Sequence, residues 1–179
     1  MKRPWIAFFS QTGSEIANIS DTLGRKPDLI ITNREYDSRE GIDSRIGDIY
    51  YIPVKPTLQD YQSVLQYYKN PLITLHGFLR ILPKEICESY KVYNGHPGLI
   101  TWYPELKGKD PQIRAFQGIQ EGKYNLAGAV LHEVIPEVDE GKVISEEFFS
   151  SQGLSLDDLF LILKERSLKM WVDFLKKKL

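Results

Sequence analysis

The chain has 179 residues, a formal net charge of −1, 42% hydrophobic and 26% charged residues, and one cysteine. This length and composition predict a single domain over residues 1–179 and exclude a disordered chain, a disulfide framework and a thiolate zinc site. The near-neutral charge argues against a nucleic-acid partner, and no apolar run approaches the roughly 20 residues that span a bilayer.

The N-terminal apolar stretch is too short for a secretory signal, so we expect a soluble cytoplasmic protein with no membrane partner. The three histidines, His76, His96 and His132, are too scattered in the sequence to form a metal-binding motif. We therefore expect no metal site.

In the first half of the chain, short apolar runs alternate with amphipathic segments, which is typical of an α/β fold. The predicted strands span residues 4–9, 28–32, 48–53, 72–75 and 91–94. The predicted helices span residues 15–23, 58–68 and 83–88.

The second half predicts two longer strands, at residues 125–134 and 142–149, between two helices. The first helix begins at Asp110 as N-cap with Pro111 in its first position, and Ser155 and Asp158 form a capping box for the second. The last helix carries an apolar stripe that should pack on the sheet, consisting of Leu156, Leu159, Phe160, Leu163, Met170 and Phe174. The order predicts an open, mostly parallel sheet with an antiparallel extension and helices on both faces, in which ligands bind where strands end.

The first predicted strand is followed by residues 10–14 (SQTGS) and then a helix. Gly13 permits a tight turn, and the N–H groups at the start of a helix can hold a phosphate. The alternative is an ordinary strand-to-helix turn capped by Ser14. The segment lacks the G-x-G-x-x-G spacing of a dinucleotide site.

The fifth strand ends at Asn94, Gly95 and His96. Strand alternation places Asn94 and His96 on one side, and Gly95 between them leaves room for a ligand. An amide and an imidazole in this arrangement can stabilise an oxyanion. The alternative is a polar loop in which His96 caps a backbone carbonyl.

Asp139 lies between the two longer strands, in residues 137–141 (EVDEG). Such a sequence is typical of an ordinary turn between two strands. An ionised aspartate there can also orient a histidine and accept a proton, directly or through water.

Three segments together resemble the folate-dependent formyltransferases, most closely the single-domain type that formylates glycinamide ribonucleotide. They are residues 77–83 (GFLRILP), 94–98 (NGHPG) and 138–141 (VDEG), in the family's order and at plausible spacing. The resemblance implies a Rossmann-like fold, with an acceptor-binding half at about residues 1–95 and a folate-side half at about 96–179. It also implies 10-formyltetrahydrofolate as co-substrate and a small amine as acceptor, with no metal, in a monomer or homodimer.

The resemblance assigns roles to three groups of residues. The catalytic residues are Asn94, His96 and Asp139, with His96 protonated. The folate site is formed by Leu79, Arg80, Ile81, Leu82, Asn94, Ile135, Pro136, Glu137, Val138 and Asp139. The acceptor's phosphate is bound by Thr12, Gly13, Ser14, Glu15 and Ile16.

The chain departs from the family pattern at Glu15, where asparagine is usual, at Gly98, where serine is usual, and at residues 102–111, which look more like sugar-nucleotide and tRNA formyltransferases. Three interpretations of Glu15 stay open. Its carboxylate opposes the binding of a phosphate, or it hydrogen-bonds a hydroxyl or amine of a different acceptor, or it merely caps the helix or faces solvent.

We expect formyl transfer to glycinamide ribonucleotide, or to an amino-sugar nucleotide or another amine. The alternatives are hydrolysis of formyltetrahydrofolate and a non-catalytic folate-binding module. Hydrolysis is disfavoured because dedicated deformylases carry an extra N-terminal domain, for which a first strand at Pro4 leaves no room. Retention of all three catalytic residues disfavours the binding module.

Overall fold

The computed structural model describes residues 2–179 and contains one seven-stranded sheet flanked by five helices. The strands are β1 (Trp5–Phe9), β2 (Leu29–Thr32), β3 (Tyr50–Tyr51), β4 (Leu72–Leu75), β5 (Lys91–His96), β6 (Leu126–Glu133) and β7 (Val143–Ser150). The helices are α1 (Ser14–Leu23), α2 (Leu58–Leu65), α3 (Lys84–Ser89), α4 (Pro111–Gln120) and α5 (Leu156–Lys178).

The sheet has the order β3-β2-β1-β4-β5-β6-β7. Strands β1 to β5 pair in parallel, and β6 and β7 extend the sheet in antiparallel fashion. This confirms the predicted fold class. Because the strand order reverses between β1 and β4, the loops that follow these two strands diverge and leave a cleft at their carboxyl ends, where open α/β sheets bind ligands.

Alternate residues of β1 supply the two apolar layers of the protein. Trp5 and Phe9 pack in the layer that contains α1 and α5, whereas Ile6 and Phe8 pack in the layer that contains α2 and α3. All four side chains are at most 1% exposed. Burial of each contributes about 1.5–3 kcal/mol, so β1 stabilises both layers.

Two strands, β3 and β5, depart from the predicted bounds by two residues at one or both ends, whereas the other strands match to within one residue at each end. β3 pairs only through Tyr50 and Tyr51, at the edge of the sheet, instead of over residues 48–53. β5 continues to His96, instead of ending at residue 94, because its last three residues pair with β6. Strand pairing between distant segments, which a local pattern does not contain, sets both limits.

Three details of the helices also differ, and the first is that α2 ends at Leu65 instead of residue 68. Asp110 occupies the predicted N-cap position of α4, with Pro111 as the first helical residue, but its φ is 52° and its side chain makes no capping hydrogen bond. The capping box of α5 between Ser155 and Asp158 is confirmed. Phe160 is 38% exposed and does not pack on the sheet with the rest of its stripe. Among residues 2–179, no helix has both the length and the apolar character needed to cross a membrane.

The β6–β7 pairing supplies a test of the fold. A Cβ at Gly128 would lie 2.3 Å from the Glu147 carbonyl oxygen, whereas a Cβ at Gly47 meets nothing within 4 Å. We expect Gly128→Ala to lower the free energy of unfolding by about 1–3 kcal/mol, because the two strands must move apart. Urea denaturation measures the change in the free energy of unfolding, with Gly47→Ala as the control. Equal stability of the two variants would contradict the β6–β7 register.

Candidate active site

Two cavities open at the carboxyl edge of the sheet, on either side of the ends of β4 and β5. The smaller one has a volume of about 180 Å³. Its lining is mostly apolar and consists of Leu75, Phe78, Leu79, Arg80, Ile81, Leu82, Asn94, His132, Val134, Ile135, Pro136, Val138 and Asp139. Nine of the ten residues predicted for the folate site are in this lining. The tenth, Glu137, is exposed and outside it.

The larger cavity has a volume of about 800 Å³ and lies between the β1–α1 turn, the loop before α4, and α5. Its lining includes four of the five predicted acceptor residues, namely Thr12, Gly13, Ser14 and Glu15. Ile16 does not line the cavity, because its side chain is fully buried in the core beside α5. The opposite wall includes Lys109 and Asp110, from the segment that departs from the family pattern, and Phe160 and Lys164 of α5.

The two cavities share Phe78, Leu79, Asn94 and Asp139. His96 lines only the larger cavity and His132 only the smaller one. Each cavity takes residues from both sides of residue 95. The structure therefore places the predicted catalytic side chains together, at the junction between two spaces for two ligands.

Asp139 lies between two imidazole rings and accepts a backbone hydrogen bond. Its Oδ2 lies 3.4 Å from His96 Nδ1, its Oδ1 lies 3.4 Å from His132 Nε2, and the Gly108 N–H donates to Oδ2 at 2.8 Å. Burial alone would raise the pKa of Asp139, but the histidines and the Gly108 N–H outweigh it and hold the pKa of this carboxyl below its usual range. Asp139 is therefore an anion at neutral pH.

His96 has an acceptor at each ring nitrogen. Its Nε2 lies 2.9 Å from the Leu106 carbonyl oxygen, and its Nδ1 faces Asp139. Burial lowers the pKa of His96 below its usual range, although the charge of Asp139 and the Leu106 carbonyl act in the opposite direction. The expectation of a protonated resting His96 is therefore not supported, whereas the alternative, in which His96 binds a backbone carbonyl, describes its Nε2 correctly.

Sequence analysis missed His132, which lies beside Asn94 at the junction. Asn94 pairs with His132 in the β5–β6 register, and the Asn94 Nδ2 lies 3.3 Å from His132 Nε2. His132 Nδ1 lies 2.8 Å from the Glu133 carbonyl oxygen, so in the neutral ring Nδ1 carries the proton and Nε2 accepts from Asn94. This contact orients the amide and leaves its second N–H free for a ligand.

The loop that carries Asp139 is held by close backbone packing. Asp139 has a positive φ of 55°, a conformation that aspartate tolerates better than most residues. A Cβ at Gly141 would lie 1.7 Å from the Glu133 carbonyl oxygen, so only glycine allows the loop to return against the end of β6. The tight return brings Asp139 to the histidines.

The sequence predicted that Gly95 leaves room for a ligand, and Gly95 does line the larger cavity, but the side on which a Cβ would stand is filled. A Cβ at Gly95 would lie 2.8 Å from Trp171 Nε1 of α5, so the indole occupies the space beside this glycine. Gly95 therefore serves the packing of α5 against β5. Among residues 2–179, no group of three or more His, Cys, Asp or Glu side chains is arranged to hold a metal ion.

Glu15 belongs to a polar network beneath the larger cavity. Its carboxylate lies 2.8 Å from His76 Nδ1 and accepts a hydrogen bond from the Ser167 hydroxyl at 2.6 Å. Burial alone would raise the pKa of Glu15, but His76, through its hydrogen bond and its charge, and Ser167 outweigh it and lower the pKa. About a third of the side chain stays exposed to the cavity, so Glu15 neither caps α1 nor points freely into solvent.

Comparison with known proteins gives matches to formyltransferases. The family model described as formyl transferase matches residues 7–150. A phosphoribosylglycinamide formyltransferase of Dictyostelium discoideum is 30% identical over 99 residues, which is 53% of this chain and 45% of that protein. The chain thus spans less than half the length of this relative.

Two solved structures share the fold. The phosphoribosylglycinamide formyltransferase of Anaplasma phagocytophilum superposes with a TM-score of 0.80 at 21% identity, over 98% of this chain and 86% of that one. The enzyme of the same name from Streptococcus pneumoniae gives a TM-score of 0.79 at 20% identity, over 99% and 98% of the two chains. The family match over most of the chain, together with this fold, shows that the protein belongs to the formyl transferase family.

Proposed function

We propose that the protein transfers a formyl group from 10-formyltetrahydrofolate to the primary amine of a small acceptor. The observation that carries this proposal is the meeting of two cavities at Asn94 and Asp139. An enzyme that transfers a group between two ligands must bring both reacting atoms to one polar junction, whereas a module that only binds folate needs a single cavity. Glycinamide ribonucleotide, the acceptor implied by the names of the relatives, is the first acceptor to test.

The smaller cavity has the properties of a folate site. Leu79, Ile81 and Val138 are 49–72% exposed around it, and such apolar side chains suit the faces of a flat heteroaromatic ring. The backbone of residues 79–82 adds polar groups for the ring edge. Asn94 and Asp139, at the inner end of this cavity, lie where the formyl group would meet the acceptor.

Asn94 is the residue placed to stabilise negative charge. Attack of the amine on the formyl carbon gives a tetrahedral species with a negative oxygen and a positive nitrogen. One amide N–H of Asn94 is held by His132, and the other is free to donate to that oxygen. Such a donor accounts for roughly 10²–10³ in rate.

Asp139 and His96 are placed to receive the proton that the amine releases. Asp139 is an anion, and it lies against the Nδ1 of a His96 ring whose Nε2 faces the Leu106 carbonyl. A proton taken up at Nδ1 makes an imidazolium with an acceptor at each nitrogen. His96 then acts through its positive charge near the developing oxyanion, and Asp139 stabilises that charge.

The larger cavity favours transfer over hydrolysis. A hydrolase needs space only for water beside the formyl group, whereas about 800 Å³ adjoins Asn94 and His96 here. The N–H groups at the start of α1 and the ammonium group of Lys164 are suited to an anionic group of the acceptor. His76 and Ser167 draw the Glu15 carboxylate away from the turn, which reduces its opposition to a phosphate.

The catalytic assignment predicts that Asn94→Ala, His96→Ala and Asp139→Asn each lower kcat by about 10²–10³ without loss of the fold. The measurement is release of tetrahydrofolate in the presence of glycinamide ribonucleotide and a panel of other amines, with circular dichroism to check the fold. Asp157→Asn, at an exposed carboxyl of α5, is the control. Turnover near the wild-type rate in all three variants would refute the assignment.

The folate site predicts that Ile81→Asp weakens folate binding about tenfold or more, since a charge then replaces an apolar wall. The acceptor KM should change little, because Ile81 lines only the smaller cavity. Calorimetric titration with 5-formyltetrahydrofolate measures the first effect and steady-state kinetics the second. Ile144→Asp, at an exposed isoleucine of β7, is the control. An unchanged folate constant would be inconsistent with this site.

The Glu15 network predicts a pH-dependent loss of stability in Glu15→Gln. The native pKa of Glu15 is lowered, so its contribution is complete above the unfolded pKa and is lost as the pH falls through the native one. We expect the variant to be less stable by about 1–3 kcal/mol at pH 7 and the difference to shrink below about pH 4. Urea denaturation from pH 3.5 to 7.5 tests this, with Glu165→Gln as control. A stability difference between Glu15→Gln and wild type that stays constant over this pH range would mean that the charge of Glu15 does not stabilise the fold.

A further inference from the structure

We infer that Ser10 and Asn33 are positioning residues that hold the folate-side segment, residues 79–82, in place. This inference rests on the proposed function, because it concerns how the proposed folate cavity is built. Neither residue lines that cavity. Ser10 acts through the backbone N–H of Leu79, which lines the cavity. Asn33 acts through the Val54 carbonyl, which binds Arg80 of the lining.

The segment has little packing of its own to fix its middle residues. Leu79 is 64% exposed and Ile81 is 72% exposed, whereas the flanking Phe78 and Leu82 are buried. A wall made of exposed side chains between two buried anchors needs other contacts to keep its shape. The backbone of Leu79 receives such a contact.

Ser10, the first residue after β1, makes that contact. The Leu79 N–H donates to Ser10 Oγ at 2.8 Å, and the Ser10 hydroxyl in turn donates to Asn33 Oδ1 at 2.6 Å. A second backbone bond joins the same two turns, from the Ser10 N–H to the Gly77 carbonyl oxygen at 3.2 Å. The hydroxyl therefore acts as both acceptor and donor, and alanine supplies neither role.

Asn33, the first residue after β2, connects this contact to the next residue of the segment, Arg80. Its side chain is 6% exposed, and its Nδ2 donates to the Val54 carbonyl oxygen at 3.1 Å. The same carbonyl accepts a hydrogen bond from Arg80 Nε at 2.9 Å. One buried amide thus joins the Ser10–Leu79 contact to the Val54–Arg80 contact, and the segment is tied at two adjacent residues to the ends of β1 and β2.

A buried asparagine with both polar ends paired is costly to disturb, since loss of one partner leaves the other unsatisfied. The loss of either side chain should change the structure only locally, because this series of hydrogen bonds ends on Leu79 and Arg80. Loss of either side chain should therefore affect the folate side and leave the acceptor side intact.

The test compares Ser10→Ala, Asn33→Asp and the conservative Ser10→Thr with wild type. Asn33→Asp keeps the acceptor for Ser10 and the size of the side chain, but it replaces the donor to Val54 with a carboxylate oxygen that repels this carbonyl. Ser63→Ala removes an exposed hydroxyl on α2 that bonds only within its own helix, and it is the matched control. Calorimetric titration with 5-formyltetrahydrofolate gives the folate dissociation constant, and kinetics give the acceptor KM and kcat at saturating formyl donor.

We expect Ser10→Ala and Asn33→Asp each to raise the folate dissociation constant about tenfold, with acceptor KM and kcat within about twofold of wild type. Ser10→Thr should bind folate nearly as wild type does, because it restores the hydroxyl. Folate binding by Ser10→Ala as tight as by Ser63→Ala would overturn the inference, and so would equal weakening of folate and acceptor. A wild-type chain that binds no folate would overturn the proposed function, and the inference with it.

Discussion

The site depends on the charge of one aspartate placed between two buried imidazole rings. Asp139 is 9% exposed at its side chain, and a carboxylate so buried is unfavourable unless donors surround it. The Gly108 N–H donates to this carboxylate, and the His96 and His132 rings lie 3.4 Å from its two oxygens, so three separate parts of the chain meet at Asp139. This carboxylate therefore lies where the loop before α4, β5 and β6 meet, at the junction of the two cavities.

The reversal of strand order between β1 and β4 divides the site into two sides. The turn after β1 forms one wall of the larger cavity, and the segment after β4 forms one wall of the smaller cavity. Ser10 lies at the point of division, since its backbone continues into the acceptor turn while its hydroxyl holds Leu79. One mixed sheet thus supplies two adjacent cavities at its edge.

Local patterns predicted most of the elements and the placement of Asn94 and His96, because strand alternation and capping are properties of neighbouring residues. The local sequence left Asp139 with two interpretations, an ordinary turn residue or one that orients a histidine and accepts a proton, and the family resemblance favoured the second. His132 was missed because its place opposite Asn94 depends on the pairing of two strands that lie 38 residues apart. The partners of Glu15 were equally invisible, since Ser167 is 152 residues away in sequence. Register and helix packing, rather than residue type, decide these contacts.

Gly98, where the family usually has serine, is connected with the orientation of His96. A Cβ at Gly98 would lie 3.1 Å from His96 Nε2 and 3.0 Å from the Cβ of Pro111, both tighter than ordinary van der Waals contact. With serine at this position, the ring or the start of α4 would have to shift by a few tenths of an ångström. Glycine instead lets His96 Nε2 approach the Leu106 carbonyl to 2.9 Å. Because that contact occupies Nε2, Nδ1 on the side of Asp139 is the nitrogen that takes up the proton in the proposed mechanism.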